Sequence, residues 1–277
     1  VNNKSYLEDL FSLEGDIAVV TGGAGVLPSA MASVLARAGA KVAVWGRGTH
    51  HPVDEAAEQL RKDTGSPADA IIGVTVDTAD EEGVAAALKE TEERLGMPNI
   101  LVNGVGGNRG KGDFVDIEVE TFEQVLSLNL TAGLVIPLKQ FAKRWIESGT
   151  EASVINLASM TSYKALSGVW AYNAAKSAVL NLTEGAAKEF APKGIRVNGI
   201  APGFFLGYQN RSLLIKNDET GELTDRGSAI ISRTPFGRFG KMEDIEGATL
   251  FLASNRASGF ITGVTIPVDG GYLVDNI

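Results

Sequence analysis

Tyr172 and Lys176 stand four residues apart in the segment VWAYNAAKSAVLNLT, and Ser159 precedes Tyr172 by thirteen. On a helix, residues four apart lie one above the other, so the phenol and the ammonium share a face. A free phenol has a pKa of about 10 and is a poor proton donor or base near neutrality. A neighbouring cation favours the phenolate and draws that pKa toward working pH. A serine hydroxyl delivered from a strand end would hold a carbonyl oxygen beside the phenol. The trio is then a site for moving a proton on or off an alcohol oxygen. The same spacing also suits an exposed Tyr and a solvated Lys on an amphipathic helix, so the surrounding elements must decide.

Short β-branched runs alternate with longer helical patterns along the chain. The runs at Ile17–Thr21, Lys41–Trp45, Ala70–Val76, Ile100–Asn103, Ser153–Leu157, Ile195–Ile200 and Val264–Val268 read as strands. Several are apolar at consecutive positions, as strands covered on both faces are. Helical patterns occupy Ala30–Ala38, Val53–Asp63, Glu81–Leu95, Val119–Ile146, Ala171–Phe190 and Glu243–Leu252. This alternation predicts an α/β fold, a Rossmann-like doubly wound parallel sheet of about seven strands with helices on both faces. No linker divides the chain, so residues 1–277 are read as one domain. The stretch Pro202 to Phe239 breaks the rhythm, with no clear strand and many Gly, Phe, Asn and Arg residues. An insertion at about 203–239, after a strand's carboxyl end, is where such sheets place a substrate lid.

Composition excludes several classes. A net charge of −9 and a pI near 4.9 argue against nucleic acid and anionic membranes as partners. The absence of cysteine removes disulfides and thiol catalysis and fits a reducing, cytoplasmic setting. The two histidines, His50 and His51, are adjacent and so do not face one point, which predicts no metal site. No apolar run approaches the roughly 20 residues of a membrane span. The start, VNNKSYLEDLF, lacks the basic and apolar regions of a signal peptide.

The first strand, IAVVT, runs into GGAGVLP and a helical pattern. A glycine-rich turn lets backbone approach a pyrophosphate, and a helix N-terminus supplies N–H groups and partial positive charge. Gly22, Gly23 and Gly25 are present, but Val26 and Pro28 occupy positions where such loops often carry glycine. Pro28 is tolerable as the first residue of the helix. By itself the loop suits a cofactor cradle and a plain tight turn equally.

Together these motifs resemble the short-chain dehydrogenase/reductase family over roughly Phe11 to the C-terminus. Thr21 to Pro28 is similar to the family's TGxxxGxG, with the departures at Val26 and Pro28. Asn103-Gly104-Val105-Gly106 resembles its NNAG segment, IRVNGIAPG at Ile195–Gly203 its RVNxIxPG segment, and TGVTIPVDGG at Thr262–Gly271 its final strand. Asn129, Ser159, Tyr172 and Lys176 match its catalytic tetrad in order and spacing. A narrower resemblance, to the short-chain-type D-mannonate oxidoreductases (fructuronate reductases), rests on the run from Pro202 to Gly227, TPFGRFG, VGGN at 105–108, and Ser159-Met160. Val26 is expected in that group; Pro28 is not.

The resemblance implies reversible reduction of a ketone by a nicotinamide cofactor. Tyr172 would donate the proton, Ser159 would orient the carbonyl, Lys176 would lower the phenol's pKa and hold the ribose, and Asn129 would support a water leading to Lys176. Asn129 also suits a plainer role, satisfying nearby backbone. Cofactor contacts are implied for Gly22, Gly23, Gly25, Val26, Leu27, Arg47, Asp77, Thr78, Asn103, Gly104, Tyr172, Lys176, Pro202, Gly203 and Phe204. Gly46 replaces the acid that selects NAD(H), and Arg47 stands where an arginine accommodates a 2′-phosphate, which favours NADP(H) with NAD(H) as the alternative.

A sugar-acid substrate needs a cation and a fan of polar groups. Arg211 is the preferred carboxylate partner and Arg109 the second. Gln209, Asn210 and Asn108 are assigned to hydroxyls, with Met160 nearby and Lys164 just beyond Ser159. D-fructuronate/D-mannonate is the preferred pair. Alternatives are another polyol or keto acid such as gluconate/5-ketogluconate, or a non-catalytic dinucleotide sensor. The resemblance also implies a homotetramer, with the helices at 119–146 and 171–190 at one interface.

Overall fold

The computed structural model describes residues 3–49, 51–207 and 210–275. The strands are β1 (Ile17–Thr21), β2 (Lys41–Gly46), β3 (Ile71–Thr75), β4 (Ile100–Asn103), β5 (Ala152–Leu157), β6 (Ile195–Pro202), β7 (Ile215–Asn217), β8 (Glu222–Leu223) and β9 (Thr265–Val268). Seven of them form one sheet in the order β3-β2-β1-β4-β5-β6-β9, every pair parallel. All five residues of β1 and all eight of β6 are buried, which explains their largely apolar character, and the polar Arg196 and Asn198 of β6 are buried with hydrogen-bond partners.

The helices are α1 (Asn3–Phe11), α2 (Val26–Arg37), α3 (Val53–Thr64), α4 (Glu81–Leu95), α5 (Val119–Leu126), α6 (Ile136–Ser148), α7 (Trp170–Phe190), α8 (Arg211–Leu214), α9 (Asp225–Ile231), α10 (Glu243–Ala253) and α11 (Asn255–Ser258). Helices α2, α3 and α10 cover one face of the sheet, and α4, α6 and α7 the other. The second layer centres on Phe141, whose ring lies 5.5 Å from Trp45 and 5.3 Å from Trp145. Both indole N–H groups are satisfied, Trp45 by Thr91 and Trp145 by the Pro98 carbonyl. The chain leaves β1 for β2 on one side while β4 lies on the other. The carboxyl ends of β1 and β4 therefore open a crevice at the switch in strand order.

Three departures from the sequence expectation matter. The helix expected over 119–146 is α5 and α6 joined by a π-helical stretch at Ser127–Val135. That run is long and apolar enough to cross a membrane by length and composition, contrary to the expectation, but 56% of its most apolar window is buried inside the fold. Helix α2 begins at Val26, earlier than expected, which makes Pro28 its third residue. The segment expected as a lid contains a β7–β8 hairpin and two short helices around its own small core of Leu214, Ile230 and Phe239.

Candidate active site

Ser159 lies two residues past the end of β5 and caps a short 3-10 turn at Met160–Ser162, where its hydroxyl accepts a bond from the Thr161 N–H at 3.1 Å. Ser162 donates to the Lys176 carbonyl at 2.7 Å, tying this turn to the catalytic helix α7. Lys176 is 4% exposed and donates from Nζ to the Leu157 carbonyl at 2.7 Å. Its ammonium lies 5.6 Å from the Tyr172 ring centre, and Ser159 hydrogen-bonds the phenol. A polar line crosses the sheet behind them: Asn103 donates to Asn156 at 2.8 Å, and Asn156 to Thr183 of α7 at 2.9 Å. The trio expected from sequence is assembled, and α7 is pinned to the strands that deliver Ser159.

Burial dominates the electrostatics. It pushes the Tyr172 phenol above its ordinary value, and the Ser159 bond opposes this only in part. Burial also brings Lys176 down to about 8. The sequence suggests that the lysine lowers the phenol; in this pocket burial raises it instead, and the opposing influence is the Ser159 bond. Tyr172 is thus held protonated at neutral pH, as a proton donor must be.

Asn129 sits in the π-helical stretch, 1% exposed. Its amide accepts from the Gly107 N–H at 3.0 Å and donates to the Gly107 carbonyl at 2.7 Å and the Val125 carbonyl at 2.9 Å. The plainer role therefore describes this side chain: it clamps the loop that leaves β4. A π-bulge inside a helix is a frequent mark of a functional position. Gly106 fills the gap between Asn129 and Lys176. A Cβ there would lie 2.6 Å from Asn129 Oδ1 and 3.1 Å from Lys176 Nζ. Gly106→Ala is expected to lower kcat by about 10- to 100-fold, the usual cost of displacing catalytic groups by a fraction of an ångström to an ångström. Steady-state kinetics check this; turnover within twofold of wild type would show that the loop yields freely.

The glycine loop fits a dinucleotide cradle. Gly22 has φ +63°, a conformation other residues adopt rarely. A Cβ on Gly23 would lie 2.9 Å from the Val20 carbonyl oxygen. Gly25 caps α2 with no side-chain bond, leaving the N–H groups of Val26 and Leu27 at the helix N-terminus for an anion. Pro28 breaks no helical bond, because the first one runs from the Ser29 N–H to the Gly25 carbonyl. Its ring is buried and packs on Gly104, where a Cβ would lie 2.7 Å from Pro28 Cγ. Pro28, a departure from the family pattern, and Gly104, which stands where NNAG has its second asparagine, are therefore in contact.

Other expected cofactor residues lie at or after the carboxyl ends of the strands. Arg47 and Asp77, at the ends of β2 and β3, face each other at 4.0 Å and are about half exposed. Thr78 and Asn103 are buried. Pro202 ends β6; Gly203 bonds to Val268, and the Phe204 ring meets Tyr272 edge-on at 5.3 Å. Gly207 of the lid lies over Val26, within 3.3 Å of it for a built Cβ.

The substrate assignments divide. Asn108 and Arg109 line a crevice of about 270 Å³ that reaches Ala171, the neighbour of Tyr172, with the Asn108 amide donating to the Gly110 carbonyl of its own turn at 2.9 Å. Met160 is buried. Arg211, the preferred carboxylate partner, is instead engaged on the lid surface, its Nε 2.7 Å from Asp218 Oδ1. Asn210 is also spent: it accepts from the Gly207 N–H and donates to the Phe205 carbonyl, locking the lid's root. Consecutive polar residues in a loop satisfy their own turn before they face a pocket. Gln209 and His50 lie outside the described residues. Lys164 is bound to the chain end, with Nζ on the Asp275 carbonyl at 3.1 Å and 5.5 Å from the Tyr272 ring centre. Among the described residues no cluster of metal-ligating side chains occurs. Lys111 and Trp170, unmarked from sequence, line the crevice too. The signal for Lys111 was present, two residues beyond Arg109; that for Trp170 was hidden in its tertiary contacts.

The family model described as enoyl-(acyl carrier protein) reductase matches residues 26–273. An uncharacterized oxidoreductase of Bacillus subtilis (strain 168) is 40% identical over 95% of this chain and 96% of its own. Among solved structures, a candidate D-mannonate oxidoreductase from Haemophilus influenza with bound NAD superposes with a TM-score of 0.86 at 32% identity, covering 98% of this chain and 99% of that one. A gluconate 5-dehydrogenase from Burkholderia cenocepacia J2315, in complex with NADP and tartrate, superposes with a TM-score of 0.85 at 32% identity, covering 97% and 99%.

Proposed function

From the premise that the chain belongs to the short-chain dehydrogenase/reductase family and is an NAD(P)-dependent oxidoreductase acting on CH–OH groups, we propose that its substrate is a sugar acid, with D-fructuronate/D-mannonate as the preferred pair. The observation that carries this is the crevice that Ala171, the residue before Tyr172, helps to line. Arg109 and Lys111 line it with no ion-pair partner among the described residues, next to Asn108, and Asp113, Asp116 and Glu118 line it too. The cations suit a carboxylate, and the carboxylate acceptors suit hydroxyls. Arg109 takes the carboxylate role first given to Arg211.

The nicotinamide, when bound, supplies or accepts the hydride. Gly22, Gly23, Gly25, Val26 and Leu27 would hold its pyrophosphate, and Lys176 its ribose. Ser159 orients the ketone oxygen, and Tyr172 gives up its proton as that oxygen gains charge, so ketone, hydride and proton sum to the alcohol. NADP(H) is the preferred cofactor in this reading. Arg47 is solvent-facing and only loosely held by Asp77 at 4.0 Å, which leaves it able to pair with a 2′-phosphate. One neighbour holds NAD and another NADP, so NAD(H) is the alternative. Gluconate/5-ketogluconate is the alternative substrate pair, supported by the gluconate 5-dehydrogenase likeness. Assembly as a homotetramer belongs to the same proposal. Val119, Val135, Ile146 and Leu182 stand exposed on the helical segments expected at an interface.

The test is oxidation of NADPH and NADH against a panel of keto sugar acids and uncharged ketoses. Arg109→Ala is expected to raise KM for the keto acid by about tenfold or more, since a charge-assisted hydrogen bond contributes roughly 1.5–3 kcal/mol. KM for an uncharged ketose should move little. Equal effects on both, or equal use of both by the wild type, would remove the carboxylate argument.

A further inference from the structure

We propose that Trp170 is a positioning residue that clasps the glycine-rich loop leaving β4 to the start of the catalytic helix and so holds Arg109 over the reacting carbonyl. Four glycines, Gly106, Gly107, Gly110 and Gly112, fall within seven positions of this loop, so the chain there has little intrinsic order. Two sets of contacts supply it. At the near end Asn129 clamps Gly107 on both its N–H and its carbonyl. At the far end the Trp170 indole donates to the Gly112 carbonyl at 3.1 Å, and the Gly112 N–H reaches the Gly168 carbonyl at 3.3 Å. Phe114 closes against the Trp170 ring edge-on, with centroids 5.5 Å apart at 77°. The Lys111 stem crosses Gly168, where a built Cβ would lie 3.1 Å from it.

Asn108, Arg109 and Lys111 hang between these two anchors and line the crevice together with Trp170 and Ala171. Trp170 is the first residue of α7, two before Tyr172. The clasp thus fixes the cation-bearing span relative to the same helix that carries the proton donor. Its function is to set the distance between the substrate's anion site and its reacting oxygen. This rests on the reading of Arg109 as the carboxylate partner.

Trp170→Phe removes the N–H donor and keeps a ring against Phe114; Trp170→Ala removes both. With D-fructuronate and NADPH, KM for the keto acid is expected to rise about fivefold in the first variant and about thirtyfold in the second, from one hydrogen bond and one aromatic pair. The cofactor KM should stay at the wild-type value and kcat should change far less than KM. Combining Arg109→Ala with Trp170→Phe should cost little more than Arg109→Ala alone, because both act through one cation. Trypsin gives a readout independent of substrate. Cleavage after Arg109 and Lys111, followed by mass spectrometry of the full-length protein, should run several times faster in Trp170→Phe. Additive losses, or parallel falls in cofactor affinity and kcat, would overturn the proposal. An unchanged KM with an unchanged tryptic rate would do the same. If D-fructuronate is not turned over, or Arg109→Ala has no effect, the carboxylate reading fails, while the tryptic rates still decide whether Trp170 holds the loop.

Discussion

Tyr172→Phe is expected to abolish turnover, by at least about a thousandfold in kcat, within the range that general acid–base groups contribute. The substitution removes one oxygen and keeps the ring. The ring stays beside the Lys176 ammonium, and Ser159 keeps its bond from the Thr161 N–H. Cofactor affinity, measured by fluorescence titration, should therefore change less than twofold. No other proton donor replaces the phenol. Lys176 spends one donor on the Leu157 carbonyl and lies one turn further along the helix, and Ser159 has a hydroxyl of much higher pKa. Burial holds the phenol protonated through neutral pH, so the wild type should reduce ketones with little pH dependence from Tyr172 in that range. Retention of more than a tenth of the wild-type kcat by the phenylalanine variant would show that the proton comes from elsewhere.

What could be seen in the sequence was what depends on local pattern. The strand runs appear because buried parallel strands are mostly apolar, and five of the six expected helices recur, Glu81–Leu95 with its bounds unchanged and the other four with shifted ends. Tyr172, Lys176 and Ser159 were visible because one helix turn and a strand end fix their spacing, whereas Asn129 came only with the family resemblance. The π-helical stretch at Ser127–Val135 was not visible, because its residues keep an ordinary apolar pattern and only the hydrogen bonding changes. The packing of Pro28 on Gly104 joins positions remote in sequence, so each looked like an isolated defect. Arg211 and Asn210 misled for one reason. Side-chain type does not reveal whether a polar group is already satisfied, here by Asp218 and by the Gly207 and Phe205 backbone. Arg109 and Arg211 were alike on composition, and only tertiary structure separates them.

Lys176→Met is expected to abolish turnover as well, but with a different signature in stability. The lysine is 4% exposed and burial brings its pKa from 10.5 to about 8. Below pH 8 the lysine is charged in both the native and the unfolded chain, and the fold bears the full cost of burying an ammonium. Between about 8 and 10.5 the native protein has lost that proton while the unfolded chain retains it. The unfolded state then binds more protons, so wild-type stability rises with pH relative to a variant that has no such group. The gain across the window is on the order of 3 kcal/mol, at about 1.4 kcal/mol per pKa unit. For a chain of this size that is a relative shift in Tm of several degrees, at roughly 2–4 °C per kcal/mol. Tyr172, also shifted by burial, is present in both proteins and largely cancels in the difference. Parallel thermal melts of wild type and Lys176→Met at pH 7, 8, 9 and 10 read this directly. The wild type should gain on the variant at each step above 8. A difference that stays flat from pH 7 to 10 would mean that the buried ammonium carries no such cost, and with it would go the argument that α7 holds a destabilising charge where the chemistry needs it.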